Sequence, residues 1–524
     1  MSKKSSVVII LFGAFIISWT YIMGKAYSAE TEYPLMDWAL WGKILLLTIV
    51  VGVVFALYVF LISRFAKKTK NGAGRISRSR VFTIWGALLI CWIPIWLAAF
   101  PGFFTYDATT AFIQVFYDEV GYTAHNPLIH TLLLGGTIRL FYGLTGSYNA
   151  GVAFFCLVQM MLLAGCFTYT IRFLSEQQLP KWIGWIAALY YALCPVITIY
   201  SSCTTKDILS SMIVLLFVIK YRETFQSGPL NISSCVLTIM LGILSILSRK
   251  NILFAMGIFF VCQLIAKEKR KERMIVILCV ILLGIASDQA IIRFMKAEPS
   301  SPAEMLSVPA QQIGRVIYLH GKDALNDIEH AGIEQYMYLE NPYYPVCADS
   351  IKSAIKNDAI KGHIPEFLKY YLMLGIRYPQ DYLDAFNYLT YEAWYPFTDV
   401  DGYTRNAYTF DPEGTSFFTC ELESPVELHS IFPELYQMIW QFSRRTTIWK
   451  IPVIGLLCSI GFHLWILTIN LGKMIIQRNQ QDLLMILFPV AILFTCFMGP
   501  MVLIRYYMFL FYLFPIQLGL LIRS

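Results

Sequence analysis

Residues 44–80, ILLLTIVVGVVFALYVFLISRFAKKTKNGAGRISRSR, pair an unbroken apolar run with a basic link. A helix of about 20 apolar residues crosses a hydrocarbon core roughly 30 Å thick. Helix is the form such a run takes in lipid, because every backbone amide must find its partner inside the segment. The link carries Arg64, Lys67, Lys68, Lys70, Arg75, Arg78 and Arg80, which the positive-inside rule assigns to the cytoplasm. Further apolar segments begin near Val7, Phe82, Gly151, Trp182, Ile232, Met274, Ile451, Leu483 and Met501, with shorter ones near Ile208 and Ile252. Composition agrees: 57% of residues are hydrophobic and 14% charged, against about 25% charged in soluble domains. The sequence predicts an all-α polytopic membrane protein with about 12 transmembrane helices.

Four regions follow. Residues 1–80 hold two N-terminal helices and the basic loop, with no cleavage site after the first apolar stretch, so that stretch reads as an uncleaved span. Residues 81–294 form a transmembrane core with an outer loop at 101–148, residues 295–450 a small extracytoplasmic domain, and residues 451–524 the C-terminal helices. A second basic cluster, Lys267, Lys269, Arg270, Lys271 and Arg273, is cytoplasmic by the same rule. Both termini then lie inside, provided that the short apolar run Leu128 to Tyr142 stays on the outer side as a juxtamembrane or re-entrant helix. The net charge of +7 comes from these cytoplasmic links and indicates topology rather than nucleic acid binding.

Of the 12 cysteines, Cys347 and Cys420 fall in the 295–450 segment, where a disulfide and two free thiols are both open readings. The remaining cysteines give neither CxxC nor metal-ligand spacing. The chain has no GxxxxGK[ST], HExxH or GxSxG motif, which argues against cytosolic ATP-driven chemistry.

Residues 100–130, FPGFFTYDATTAFIQVFYDEVGYTAHNPLIH, gather Asp107, Asp118, Glu119, His125 and His130 between two apolar segments. Ionisable groups at the mouth of a span mark a candidate site; a solvated loop at a helix end is the plain alternative. Lys206, Arg249, Lys250, Arg315 and Arg505 fall on the same predicted face. Carboxylates beside cations suit transfer from an anionic lipid phosphate, the cations offsetting leaving-group charge and a carboxylate taking the acceptor's proton.

The order of these motifs resembles the GT-C glycosyltransferases, multispan enzymes that use polyprenyl-phosphate-linked sugars. The residues that carry the resemblance are Asp107 in PGFFTYDATTAF, the turn His125-Asn126-Pro127-Leu128 followed by LIHTLLLGGTIRLFYGLTG, and Lys206-Asp207 in ITIYSSCTTKDILSS. Together with SRKN, SVPAQQIGR and IRYYMFLFYLFP, they also look like an uncharacterised family of bacterial multipass proteins thought to be GT-C related, over residues 82–520. Asn126 replaces the first proline of the superfamily's usual turn, and the two helices before residue 80 lie outside its usual start.

The resemblance implies an inverting membrane glycosyltransferase acting on the extracytoplasmic face of the cell membrane. Its donor would be a polyprenyl-phosphate-linked sugar and its acceptor an envelope glycan, lipid or protein. Asp107 would act as base, and Lys206, Arg249 and Arg505 would bind the donor phosphate. Asp118, Glu119, His125, His130, Asp207, Asn251, Gln312, Arg315 and Tyr506 would line the substrate site, and some superfamily members hold a divalent cation, Mg or Mn, beside such carboxylates.

Each residue also has a plainer reading. Asp107 caps a helix, Asp118 and Glu119 are solvated, and the two histidines pack as polar neighbours. Lys206-Asp207 is an interfacial ion pair, while Gln312 and Arg315 anchor the 295–450 segment on the spans. A transporter or flippase of a lipid-linked envelope precursor is the alternative function.

Overall fold

The structure is a computed structural model that describes residues 3–65, 76–104, 107–177, 179–226, 228–397, 426–444 and 451–523. Cys420 lies outside the described residues, as does most of the basic link after Phe65. Among the described residues the chain is all helical, with isolated β-bridges and no strand. Helices α1 (Lys3–Ser28), α2 (Trp38–Phe65) and α3 (Arg78–Ala98) precede a short α4 (Ala108–Phe116). Then come α5 (Leu128–Thr145), α6 (Tyr148–Glu176), α7 (Lys181–Leu193), α8 (Pro195–Tyr200) and α9 (Lys206–Thr224). The first half closes with α10 (Ile232–Ser248), α11 (Asn251–Cys262) and α12 (Arg270–Phe294).

Among the described residues, eight helices are long and apolar enough to cross a membrane, α5 included, and this marks a membrane-embedded protein. The count differs from the twelve expected because several apolar runs are interrupted. The run from Lys181 stops at Cys194, where Pro195 follows and the residue before a proline leaves helical geometry. The 12-residue α11 is too short to span roughly 30 Å by itself. In α9, Lys206, Asp207, Lys220, Arg222 and Glu223 lower the hydropathy of an otherwise apolar helix.

Two hydrophobic cores are present. The larger binds the apolar helices into one bundle, and at its centre stands the aromatic α19 (Met508–Ile522), whose Met508 to Phe514 are all buried. A second core joins Ala303 through Leu389 and includes α13 (Ser307–His320), α14 (Ile364–Arg377) and α15 (Pro379–Trp394). Between α15 and α19 lie α16 (Pro433–Arg444), α17 (Ile460–Gln477) and α18 (Gln480–Cys496).

The N-terminal α1 links the two cores. The Tyr27 hydroxyl donates to Asp384 Oδ1 at 2.6 Å and accepts from Asn387 Nδ2 at 2.9 Å, all three side chains being buried. The Tyr388 hydroxyl reaches back to the Thr31 carbonyl, and Trp19 packs on Trp394 with ring centroids 4.9 Å apart. At Gly24 a Cβ would come within 2.4 Å of the Tyr395 side chain, so the close approach of α1 requires glycine there.

Candidate functional site

Four segments remote in sequence converge at one end of the bundle. The first is the loop after α3, which pairs by backbone with the α8–α9 turn: Phe103 N donates to Ser202 O, and Thr204 N to Phe103 O, each at 3.0 Å. Gly102 carries φ +141, and any Cβ there would press into Cys156 Sγ at 2.4 Å. The second is the turn 201–205 itself, whose carbonyls are held by Gln159 Nε2, at 3.0 Å to Ser201 and 2.8 Å to Cys203. Thr205 caps α9, so Lys206 and Asp207 occupy its first turn. The third is the break between α10 and α11, where Arg249 adopts extended backbone. The fourth is residues 504–507, a 3₁₀ turn leading into α19.

Here Asp107 and Asp207 meet Lys206, Arg249 and Arg505. The Lys206 ammonium donates to Asp107 Oδ2 at 2.8 Å and also to the Asn126 side-chain oxygen. Arg505 Nη1 bridges the two carboxylates, at 2.9 Å from Asp107 Oδ2 and 3.3 Å from Asp207 Oδ2. Arg249 Nη1 lies 3.0 Å from Asp207 Oδ1, an ion pair without hydrogen-bond alignment, and donates to the Tyr506 carbonyl at 3.2 Å. Both guanidinium groups lie against the Tyr506 ring, Arg249 Cζ 4.5 Å and Arg505 Cζ 4.8 Å from its centroid.

Exposure separates the two carboxylates. The Asp207 side chain is 0% exposed and forms the floor, whereas Asp107 keeps 22% and Lys206 15%. A bound molecule would therefore meet Asp107 first. Asp107 begins α4 but makes no side-chain cap bond, its carboxylate being taken up by the two cations. Burial pushes the Asp107 carboxyl up, and the Lys206 ammonium and Arg505 guanidinium outweigh it, holding the group well below the usual carboxylate range. Three cations face two carboxylates, so the cluster carries an excess positive charge that suits an anion.

The other expected residues are distributed around this cluster. His130 sits one layer behind it, with Nε2 2.9 Å from the Thr204 carbonyl and its ring edge-on to Phe155. His125 is exposed, 3.8 Å from Glu304, and Asp118 and Glu119 occupy an exposed turn. Asn251 turns away toward α18, donating to Thr495 Oγ1 at 2.9 Å. Gln312 and Arg315 belong to a second polar cluster between α13 and α15, where Gln312 donates to the Tyr382 carbonyl and Arg315 lies 4.9 Å over the Tyr388 ring. Among the described residues, no group of three His, Cys, Asp or Glu side chains is arranged to hold a metal ion.

Sequence reasoning gave Asn126 no role beyond replacing a proline. It is buried at 3% exposure and fixes the Lys206 ammonium; its place beside His125 and Pro127 in a loop facing the cations was the available signal.

Against known proteins, the model of a family of unknown function, DUF6020, matches residues 116–521. The chain belongs to this family. The match takes in Lys206, Asp207, Arg249, Arg505 and Tyr506, and begins after Asp107. No curated protein and no solved structure matches the chain.

Proposed function

We propose that the protein is a membrane glycosyltransferase of GT-C type. It would move a sugar from a polyprenyl-phosphate-linked donor to an envelope acceptor at the end of the bundle that carries Asp107. The observation behind this reading is the cluster itself, in which Lys206, Arg249 and Arg505 surround one accessible carboxylate and one sealed carboxylate. Two arginine forks beside a lysine match the oxygens of a phosphate ester.

In the proposed reaction the acceptor oxygen bonds to the anomeric carbon as the bond from that carbon to the donor phosphate oxygen breaks. The electron pair leaves with the phosphate, where Arg249, Arg505 and Lys206 offset the charge. The acceptor's proton passes to Asp107. In the resting cluster the same cations make Asp107 a weak base. A donor phosphate that engages Lys206 and Arg505 competes with Asp107 for them, so the carboxylate gains basicity when the donor arrives.

The basic link 64–80 and the cluster 267–273 favour a cytoplasmic location for the opposite end, which makes the reacting end extracytoplasmic and puts both termini inside. Helix α5 agrees with that orientation. Its first turn bonds Thr204 through His130, and just beyond its last turn Asn149 bonds Glu427, so neither end reaches the basic links. Mass spectrometry of lipid-linked sugars in a deletion strain tests the function: one polyprenyl-linked species accumulates on this reading, and an unchanged pool of all such species refutes it.

A further inference from the structure

At the end of the bundle away from Asp107, helices α3, α6 and α7 enclose a groove of about 1020 Å³. Its floor is apolar and buried, formed by Leu88, Ile171, Leu174 and Ile183, while its lips, including Trp185 and Leu189, are exposed. Arg80 and Lys181 stand at its mouth, each in the first turn of its helix, beside Ser77 and Ser79. Among the described residues neither cation pairs with a carboxylate. From Arg80 to Cys91 the groove follows α3 for eleven residues, roughly 16 Å at 1.5 Å per residue. Because α3 is one of the apolar helices of membrane-spanning length, its first turn falls at a membrane surface and the groove runs inward from there.

Neutral lipid would satisfy the floor but leave two cations at the mouth without a counter-charge. A basic opening above an apolar slot between membrane helices is the arrangement that recognises an anionic head group. We propose that this groove binds one anionic phospholipid, its phosphodiester at Arg80 and Lys181 and an acyl chain along Leu88, Ile171 and Ile183. The site is separate from the Asp107 cluster and does not depend on what that cluster does.

Native mass spectrometry of the delipidated full-length protein, titrated with phosphatidylglycerol or phosphatidylcholine, tests this. The wild type binds one phosphatidylglycerol in preference to phosphatidylcholine. Replacing both cations, Arg80→Gln with Lys181→Gln, lowers affinity for that first lipid roughly 30-fold, the product of about fivefold per cation near a membrane surface. Exchanging the cations, Arg80→Lys with Lys181→Arg, retains charge and keeps most of the binding, which separates loss of recognition from misfolding. Gly184→Leu fills the slot: a Cβ there meets only Ile171 Cγ2, at 3.8 Å, so the side chain enters the groove without displacing backbone. It should reduce binding of both lipids. Equal affinity for the two lipids in the wild type, or undiminished phosphatidylglycerol binding in the double Gln variant, overturns the proposal.

Discussion

Replacing Asp107 by asparagine separates its candidate roles, because the amide keeps the shape and an acceptor oxygen but takes no proton at neutral pH. No cap is lost, since Asp107 makes no side-chain cap bond. What changes is two charge-assisted hydrogen bonds, from Lys206 at 2.8 Å and Arg505 at 2.9 Å, which become bonds to a neutral acceptor. The difference is about 1 kcal/mol per bond, or roughly 2 kcal/mol in all. The variant should therefore still insert and fold. The same release means the cations no longer divide themselves between Asp107 and a donor phosphate, so donor affinity rises by up to roughly 30-fold. Turnover, deprived of its general base, falls at least about a hundredfold. Titration of purified protein with a fluorescent polyprenyl-phosphate sugar, followed by a single-turnover transfer assay, measures both quantities. Transfer at the wild-type rate, or loss of donor binding in a folded protein, refutes the assignment. Acid gives a companion test. A carboxylate held below its ordinary range adds stability that is fully present above the unfolded value and is lost as pH falls through the folded one. The Asp107 contribution is thus constant between about pH 5 and 8, and in stronger acid the wild type loses more stability than Asp107→Asn does.

Three further outcomes follow from the described contacts. Arg249→Gln or Arg505→Gln should weaken binding of the same donor at least about tenfold, while Arg505→Lys, which keeps the charge but not the second guanidinium nitrogen that reaches the Tyr506 hydroxyl, should fall between; donor affinity unchanged in both Gln variants would remove them from the site. Single cysteines introduced beside Lys269 should label only in permeabilised cells and those beside Asp118 in intact ones, and labelling of both from one side would reverse the orientation. Tyr27→Phe leaves buried Asp384 without its donor and should destabilise the protein by about 1–3 kcal/mol, seen as a lower unfolding temperature; an unchanged midpoint would show that α1 is held by packing alone.

The membrane class was legible because apolar length is a local property, visible in runs such as 44–63. The cations were legible for a related reason: Arg249 and Arg505 interrupt apolar segments, and a charge in that position needs a partner. Which partner it finds was not legible. Arg505 and Asp107 are 398 residues apart, and no local pattern records that the α8–α9 turn, held by the amide of Gln159, pairs by backbone with Phe103 in the loop after Pro101. Asp118 and Glu119 show the opposite case, since a pair of carboxylates beside a span looks the same in sequence whether it faces inward or, as here, occupies an exposed turn. The exact span count was not legible, because average hydropathy does not register the break at Cys194-Pro195 or the polar first turn of α9.

The tie from Tyr27 to Asp384 and Asn387 bears on how the cluster can open. It makes α1 a strut between the membrane bundle and the unit built on the second core, buried at its contact and reinforced by the Trp19–Trp394 stack. Swinging that unit away would pull a hydrogen-bonded carboxylate out of a sealed interface, and Arg505, at the head of a helix enclosed by the bundle, has little room to follow. The exposed part of the cluster, Asp107 and Lys206, therefore meets incoming molecules from the side of the Asn126 loop while the two large masses remain braced.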